Sequence, residues 1–93
     1  MKYSIHLTEE ALEEEAEAFL FYEKEKQGLG DKFLNDLEST LNRISENPAH
    51  YSYIDDTKTM RDVVLKTFPY VIIFEIKFEK VEVYHIHHTS KSK

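Results

Sequence analysis

Residues 2–7, KYSIHL, alternate Tyr3, Ile5 and Leu7 with Lys2, Ser4 and His6, the period of a strand with one covered face. Thr8 follows as a helix N-cap. Its hydroxyl can accept an orphan backbone N–H, Glu9 and Glu10 suit the positive end of a helix, and Leu7 with Leu12 forms a hydrophobic staple. The pattern predicts a first helix over 9–27, stopped at Gly28. Around that helix Leu12, Ala16, Phe19 and Leu20 lie together with Ala11, Ala18 and Tyr22 alongside, and Glu10, Glu13, Glu14, Glu17 and Lys24 share the opposite side. The first group is therefore expected to meet the core and the acids to meet water. Phe21 falls among the charges, either as an isolated exposed aromatic or as a contact for a partner.

The run GLGD at 28–31 reads as a tight connection, with Gly30 or Asp31 opening a second helix. Phe33, Leu34, Leu37, Leu41 and Ile44 recur at three- and four-residue steps, a seam suited to antiparallel packing on the first helix. Pro48 ends that helix, because its ring cannot continue the hydrogen-bond ladder and turns Asn47 away from helical backbone. Residues 49–58 read as a loop in which Tyr51, Tyr53 and Ile54 cover an edge of the core. From Thr59 onward MRDVVLK, YVIIFEIKF and VEVYHIHH are rich in β-branched and aromatic residues, the composition of strands, with the last two joined as a hairpin around Glu79 and Lys80. In the middle strand Tyr70, Ile72, Phe74 and Ile76 fall on one face and Val71, Ile73 and Glu75 on the other, so both faces are partly apolar. The order β-α-α-β-β-β predicts one α+β domain over 1–93: an N-terminal strand, a helical hairpin and a three-stranded antiparallel sheet, with helices on one side.

Composition narrows the function classes. The chain has no cysteine, which removes disulfides and thiolate metal sites. Its N-terminal stretch turns acidic before any long apolar run develops, so neither a secretion signal nor a membrane span is expected, and a cytoplasmic location is. A net charge of −6 opposes strong general binding to nucleic acid, which draws affinity from Lys and Arg on phosphates. The acid is concentrated in 9–23, however, while Lys58, Arg61, Lys66, Lys77, Lys80, Lys91 and Lys93 lie in the second half. That distribution allows a local basic patch in the second half.

Several fragments in a fixed order resemble the RelE/ParE toxin superfamily, on the ParE-like side. They are Phe21–Tyr22, GLGDKF at 28–33, the second-helix leucine seam, NPAHY at 47–51, Arg61, LKTFPYVIIFEI at 65–76 and VYHIHHTSK at 83–91. The resemblance implies the toxin of a type II toxin–antitoxin, plasmid-stabilisation type system, neutralised by a cognate antitoxin in a hetero-oligomer. It offers two activities: RelE-type members cut mRNA on the ribosome, and ParE-type members block DNA gyrase. Cutting RNA through the 2′-oxygen needs a base, a cation for the phosphate and an acid for the leaving oxygen. Aligned with the family's strand, Val71 stands where a phosphate-binding Arg is found in RelE-type chains, and Asp62 and Val64 stand where two lysines are found. His88 matches a histidine that serves as general acid in some members, Thr89 replaces a tyrosine and Lys91 an arginine. Arg61, His88 and Lys91 are thus the catalytic candidates for the nuclease reading, against a ParE-like binding protein or a non-toxic binding module of the same fold. Phe21, Val71, Ile73 and Glu75 are the candidates for partner contact.

Other constellations carry less. Arg61 also suits a surface salt bridge or an interface anchor. His85 and His87 share one strand face and suit zinc only with further ligands, and the needed Asp, Glu or Cys partner is not evident nearby in the sequence; no metal or cofactor is expected. Ser90 with the histidines lacks a hydrolase turn and a matched acid. The tyrosines at 22, 51, 53, 70 and 84 sit at periodic or pre-strand positions that suit core better than base stacking.

Overall fold

The computed structural model describes residues 2–91, and of Lys91 the backbone alone. Its elements are β1 (Ser4–Leu7), α1 (Glu9–Glu25), α2 (Leu29–Glu46), a 3-10 turn at Pro48–His50, β2 (Met60–Val64), β3 (Tyr70–Lys77), β4 (Lys80–His88) and a closing 3-10 turn at Thr89–Lys91. The α+β order is the one the hydropathy pattern predicts. The sheet, though, is four-stranded in the order β1-β4-β3-β2, because β1 joins the antiparallel trio as a parallel neighbour of β4, Ile5 opposite Val81 and Leu7 opposite Val83. A parallel pair cannot be closed by a tight turn. The helical hairpin and two further strands form the long crossover between them.

Local chemistry sets the helix ends. Thr8 Oγ1 accepts the Ala11 N–H at 3.2 Å, as an N-cap should. Gly28, at φ +90°, makes the reversal between the helices, a backbone region that costs other residues about 1–2 kcal/mol. Gly28 has no side chain to cap α2, and Glu23 substitutes: its carboxylate accepts the N–H groups of Gly28 and Gly30, each at 3.0 Å. Gly30 is also a close approach, since a Cβ there would stand 2.7 Å from the Phe19 ring. The β3–β4 hairpin turns at Phe78 and Glu79; Phe78 combines φ +57° with 98% exposure, an unusual position for a bulky aromatic.

Both helices cover one face of the sheet. Phe33, Leu37 and Ile44 of α2 and Ala11 and Ala18 of α1 cluster with Ile72, Phe74, Val81, Val83 and Ile86. An aromatic group at the β3 end joins Tyr22, Phe33, Phe68 and Tyr70, with ring centroids 4.8–6.1 Å apart. Asp36 holds Phe68 in that group by accepting the N–H groups of Thr67 and Phe68 at 2.8 and 2.9 Å. Tyr51 packs edge-on against Phe74, whereas Tyr53 and Ile54 stay exposed.

The first helix departs from its expected orientation. Its sheet-facing residues are the small Ala11 and Ala18, while Leu12 and Leu20 are 53% and 60% exposed. The apolar stripe is rotated by more than a third of a turn from the face that meets the sheet, at about 100° per residue. Close approach of α1 to β4 selects alanine there, and the larger leucines project past the edge of the helix pair. Glu15, at that same helix–helix seam, has its carboxyl pKa raised by burial and further by Glu38. A raised folded pKa means that ionisation disfavours the fold. Glu15→Gln is therefore expected to stabilise by a few tenths of a kcal/mol near neutral pH, an advantage that fades as pH falls below the ordinary glutamate range, measurable by thermal melts at pH 7 and pH 3.5.

Candidate functional site

β1 is short and pairs with Lys80–Val83 of β4 alone, so among the described residues the edge of β4 from Tyr84 onward has no strand beside it. A bare strand edge is a liability, and the start of α1 covers it. Thr8 N–H donates to Val83 O at 3.0 Å, Thr8 Oγ1 donates to Tyr84 O at 3.2 Å, and Glu14 Oε1 accepts the Ile86 N–H at 2.8 Å. Glu14 thus acts as a strand substitute made from one side chain. The same carboxylate faces two imidazoles: His87 Nδ1 lies 2.9 Å from Oε2 and His85 Nδ1 3.4 Å from Oε1. Residues two apart on a strand project to one side, and these two rings stack at 4.4 Å, 20° from parallel.

Beside this edge a cleft of about 280 Å³ opens between α1 and the ends of β3 and β4, lined by Glu14, Glu17, Phe21, Tyr70, His87 and His88 among others. His88 stands edge-on to Tyr70 at 5.3 Å. Its Nδ1 accepts the Ser90 N–H at 3.2 Å and lies 2.8 Å from Ser90 Oγ. The phenol pKa of Tyr70 is pushed up by burial, then by Tyr22 and Glu17, so the hydroxyl stays protonated as a neutral donor. Among the described side chains, the carboxylates of Glu14 and Glu17 stand in the wall beside the imidazoles of His87 and His88, and no lysine or arginine lines it. Such a wall repels phosphate.

Arg61 lies elsewhere. It pairs with Phe74 while His88 pairs with Tyr70, a separation of roughly 13 Å along β3 and two strand spacings of about 4.8 Å across the sheet. The guanidinium donates to Tyr51 O at 2.6 Å, Ala49 O at 3.3 Å and Tyr53 Oη at 2.8 Å, and lies 3.9 Å above the Tyr53 ring. It fastens the 49–53 segment to the sheet. Arg61 and His88 are thus not brought together, and the side chain of Lys91 lies outside the described residues.

The four expected contact residues also separate. Phe21 is 55% exposed at the cleft mouth. Val71 is 5% exposed, so it offers no open surface, although it lies on the sheet face away from the helices. Its cross-strand neighbours Val64 and His87 stand directly opposite it, close enough for side chains to shield it. Ile73 and Glu75 are half-buried, and Glu75 Oε1 accepts a hydrogen bond from Tyr84 Oη at 2.9 Å.

An open apolar surface does exist where the pattern of α1 did not lead one to expect it. Leu12, Glu15, Ala16, Phe19 and Leu20 with Leu34 of α2 form a shallow groove on the outer side of the helical hairpin. Glu14, too, was expected in solvent. Its role at β4 carries no local sequence signal, because its partners lie about seventy residues further on.

The family model of the ParE toxin of type II toxin–antitoxin systems, parDE, matches residues 5–92. A solved structure described as the chromosomal ParDE TA system from P. aeruginosa superposes with a TM-score of 0.81 at 13% identity, covering 94% of this chain and 96% of that one, a likeness of fold. A search of curated proteins gave no match.

Proposed function

The chain belongs to the ParE toxin family of type II toxin–antitoxin systems, and on that premise we propose that it acts by gripping a cellular target, DNA gyrase first among candidates, and is silenced by an antitoxin segment lying across its helical hairpin. The observation that carries binding over RNA cleavage is the acidic wall of the cleft beside His88. Charge building on a phosphorane calls for preorganised cations, and Glu14 and Glu17 act in the opposite sense. Arg61, the cation that an RNA-cutting reading would use, has its donors on the loop carbonyls of Ala49 and Tyr51 and on the hydroxyl of Tyr53.

The antitoxin reading rests on the groove around Leu12 and Leu20. Two half-exposed leucines in one strip make a surface for an amphipathic segment with apolar anchors at helical spacing. The flanking Glu9, Glu13 and Glu17 favour Lys or Arg at its margins.

Induced expression of the chain alone is expected to arrest bacterial growth, and co-expression of the adjacent antitoxin gene to restore it. Purified chain should inhibit gyrase supercoiling without cutting mRNA during cell-free translation. Leu12→Glu with Leu20→Glu should keep the arrest and weaken antitoxin binding by at least tenfold, since burying one leucine contributes about 1.5–3 kcal/mol. Site-specific mRNA cuts that vanish in His88→Ala would overturn the binding reading. Normal growth at high soluble yield would overturn toxicity altogether.

A further inference from the structure

The Glu14–His85–His87 cluster is more than an edge cap. We propose that it is a binding site for a divalent transition metal, zinc above all, with His85 Nδ1, His87 Nδ1 and Glu14 Oε2 as its three protein ligands.

The sequence presents two histidines at a strand spacing of two, and the fold supplies the third ligand from a helix far away in the chain. One ligand atom from each residue lies within 4.8 Å of the other two. In a tetrahedral zinc site, with bonds of about 2.0–2.1 Å to nitrogen or carboxylate oxygen, neighbouring ligand atoms stand about 3.3 Å apart. The carboxylate already stands at that range from both rings, Oε2 2.9 Å from His87 Nδ1 and Oε1 3.4 Å from His85 Nδ1. Closing the set around an ion needs only side-chain adjustment within a cluster already 4.8 Å or less across. Stacking at 4.4 Å holds both Nδ1 atoms toward the same carboxylate.

Two further observations point to a ligand. His85 Nδ1 is buried and has no hydrogen-bond partner among the described residues, although Glu14 is near, and a buried nitrogen lone pair or N–H left without a partner is costly. A metal ion satisfies it in its neutral, lone-pair form. The division of labour on Glu14 also suits coordination. Oε1 accepts the Ile86 N–H, which fixes the carboxylate plane as outer hydrogen bonds fix metal ligands elsewhere, and leaves Oε2 to bind. Each residue of the trio is half-buried, so the fourth coordination position faces solvent and takes water or a donor from a partner. Oxygen and imidazole donors together, with no thiolate, favour zinc, nickel or copper over magnesium or calcium. The proposal does not depend on toxicity, because it concerns metal and fold alone.

Titration of metal-free protein with zinc sulfate is the test, read by calorimetry and by thermal melting. One equivalent is expected to bind, with Tm raised by about 10 °C at a hundredfold excess over Kd. Cobalt in place of zinc should give the intense visible absorption of a four-coordinate centre. His87→Ala and Glu14→Gln should each abolish the shift, and Gln at 14 keeps an acceptor for the Ile86 N–H so that the fold survives. A double variant of the other two well-separated histidines, His6→Ala with His50→Ala, should bind as the parent does. Zinc binding that persists in His87→Ala, or disappears in the His6/His50 variant, would mean adventitious surface coordination and would end the proposal. So would an unmoved melt at millimolar zinc with a silent calorimeter. Should a variant melt early on its own, the cobalt spectrum of the parent decides, since a weak octahedral band contradicts the three-ligand site.

Discussion

Phe33→Ala is expected to lower stability by about 3–5 kcal/mol, the range for removing a fully buried aromatic, and so to lower the urea midpoint sharply. The ring has no exposed surface and packs against Tyr22, Phe68 and Tyr70. These come from α1, from the loop before β3 and from β3 itself. Truncation therefore opens a cavity at the junction of three elements, where no single one can collapse to fill it. Domains of this size hold roughly 5–15 kcal/mol in all, so the loss is a large share of the total. Phe33→Leu, which keeps much of the volume, should cost less, about 1–2 kcal/mol. Urea unfolding followed by circular dichroism measures both. Equal loss in the two variants would contradict a cavity as the cause.

Arg61→Ala carries the second-largest expected effect, about 2 kcal/mol. A guanidinium donating to two carbonyls and a hydroxyl, with an aromatic face against it, is a charged hydrogen-bonding hub, and bonds to charged groups contribute more than neutral ones. Much of the loss should be local. The 49–53 segment would detach and become the first site of proteolytic nicking, while Tyr51 loosens from Phe74. Arg61→Lys should rescue little, because an ammonium lacks the planar fork that reaches carbonyl and phenol together. A protease time course compared with global melting distinguishes this local release from unfolding. Gyrase inhibition that collapses in Arg61→Ala while nicking and Tm stay unchanged would instead assign Arg61 to target contact.

The fold was legible wherever residue type and period agree. β1 alternates as expected, Thr8 caps as expected, and the seam of α2 buries Phe33, Leu37 and Ile44. Reading failed on α1 because its leucine stripe and its alanine stripe are adjacent. Hydrophobicity prefers leucine for the core, whereas distance to β4 selects alanine at positions 11 and 18. The outer sheet face also read as more open than it is at Val71, since neighbours across a sheet are not neighbours in the sequence. At the β4 edge, His85 and His87 announce themselves by spacing, yet Glu14 looks like any other acid of a solvated helix until the chain returns to meet it.

The parallel pairing of β1 with β4 has a consequence in time. His6 meets Glu82 across 76 residues, and at about 5–20 residues per second a ribosome takes roughly 4–15 s to produce that partner after the first strand. During those seconds the helical hairpin lacks its sheet, and Phe33, Leu37 and Ile44 miss Val81, Val83 and Ile86 of the core cluster. Assembly is gated by the arrival of the last strand, so the chain passes through a prolonged, sticky adolescence in which chaperones compete with its own completion.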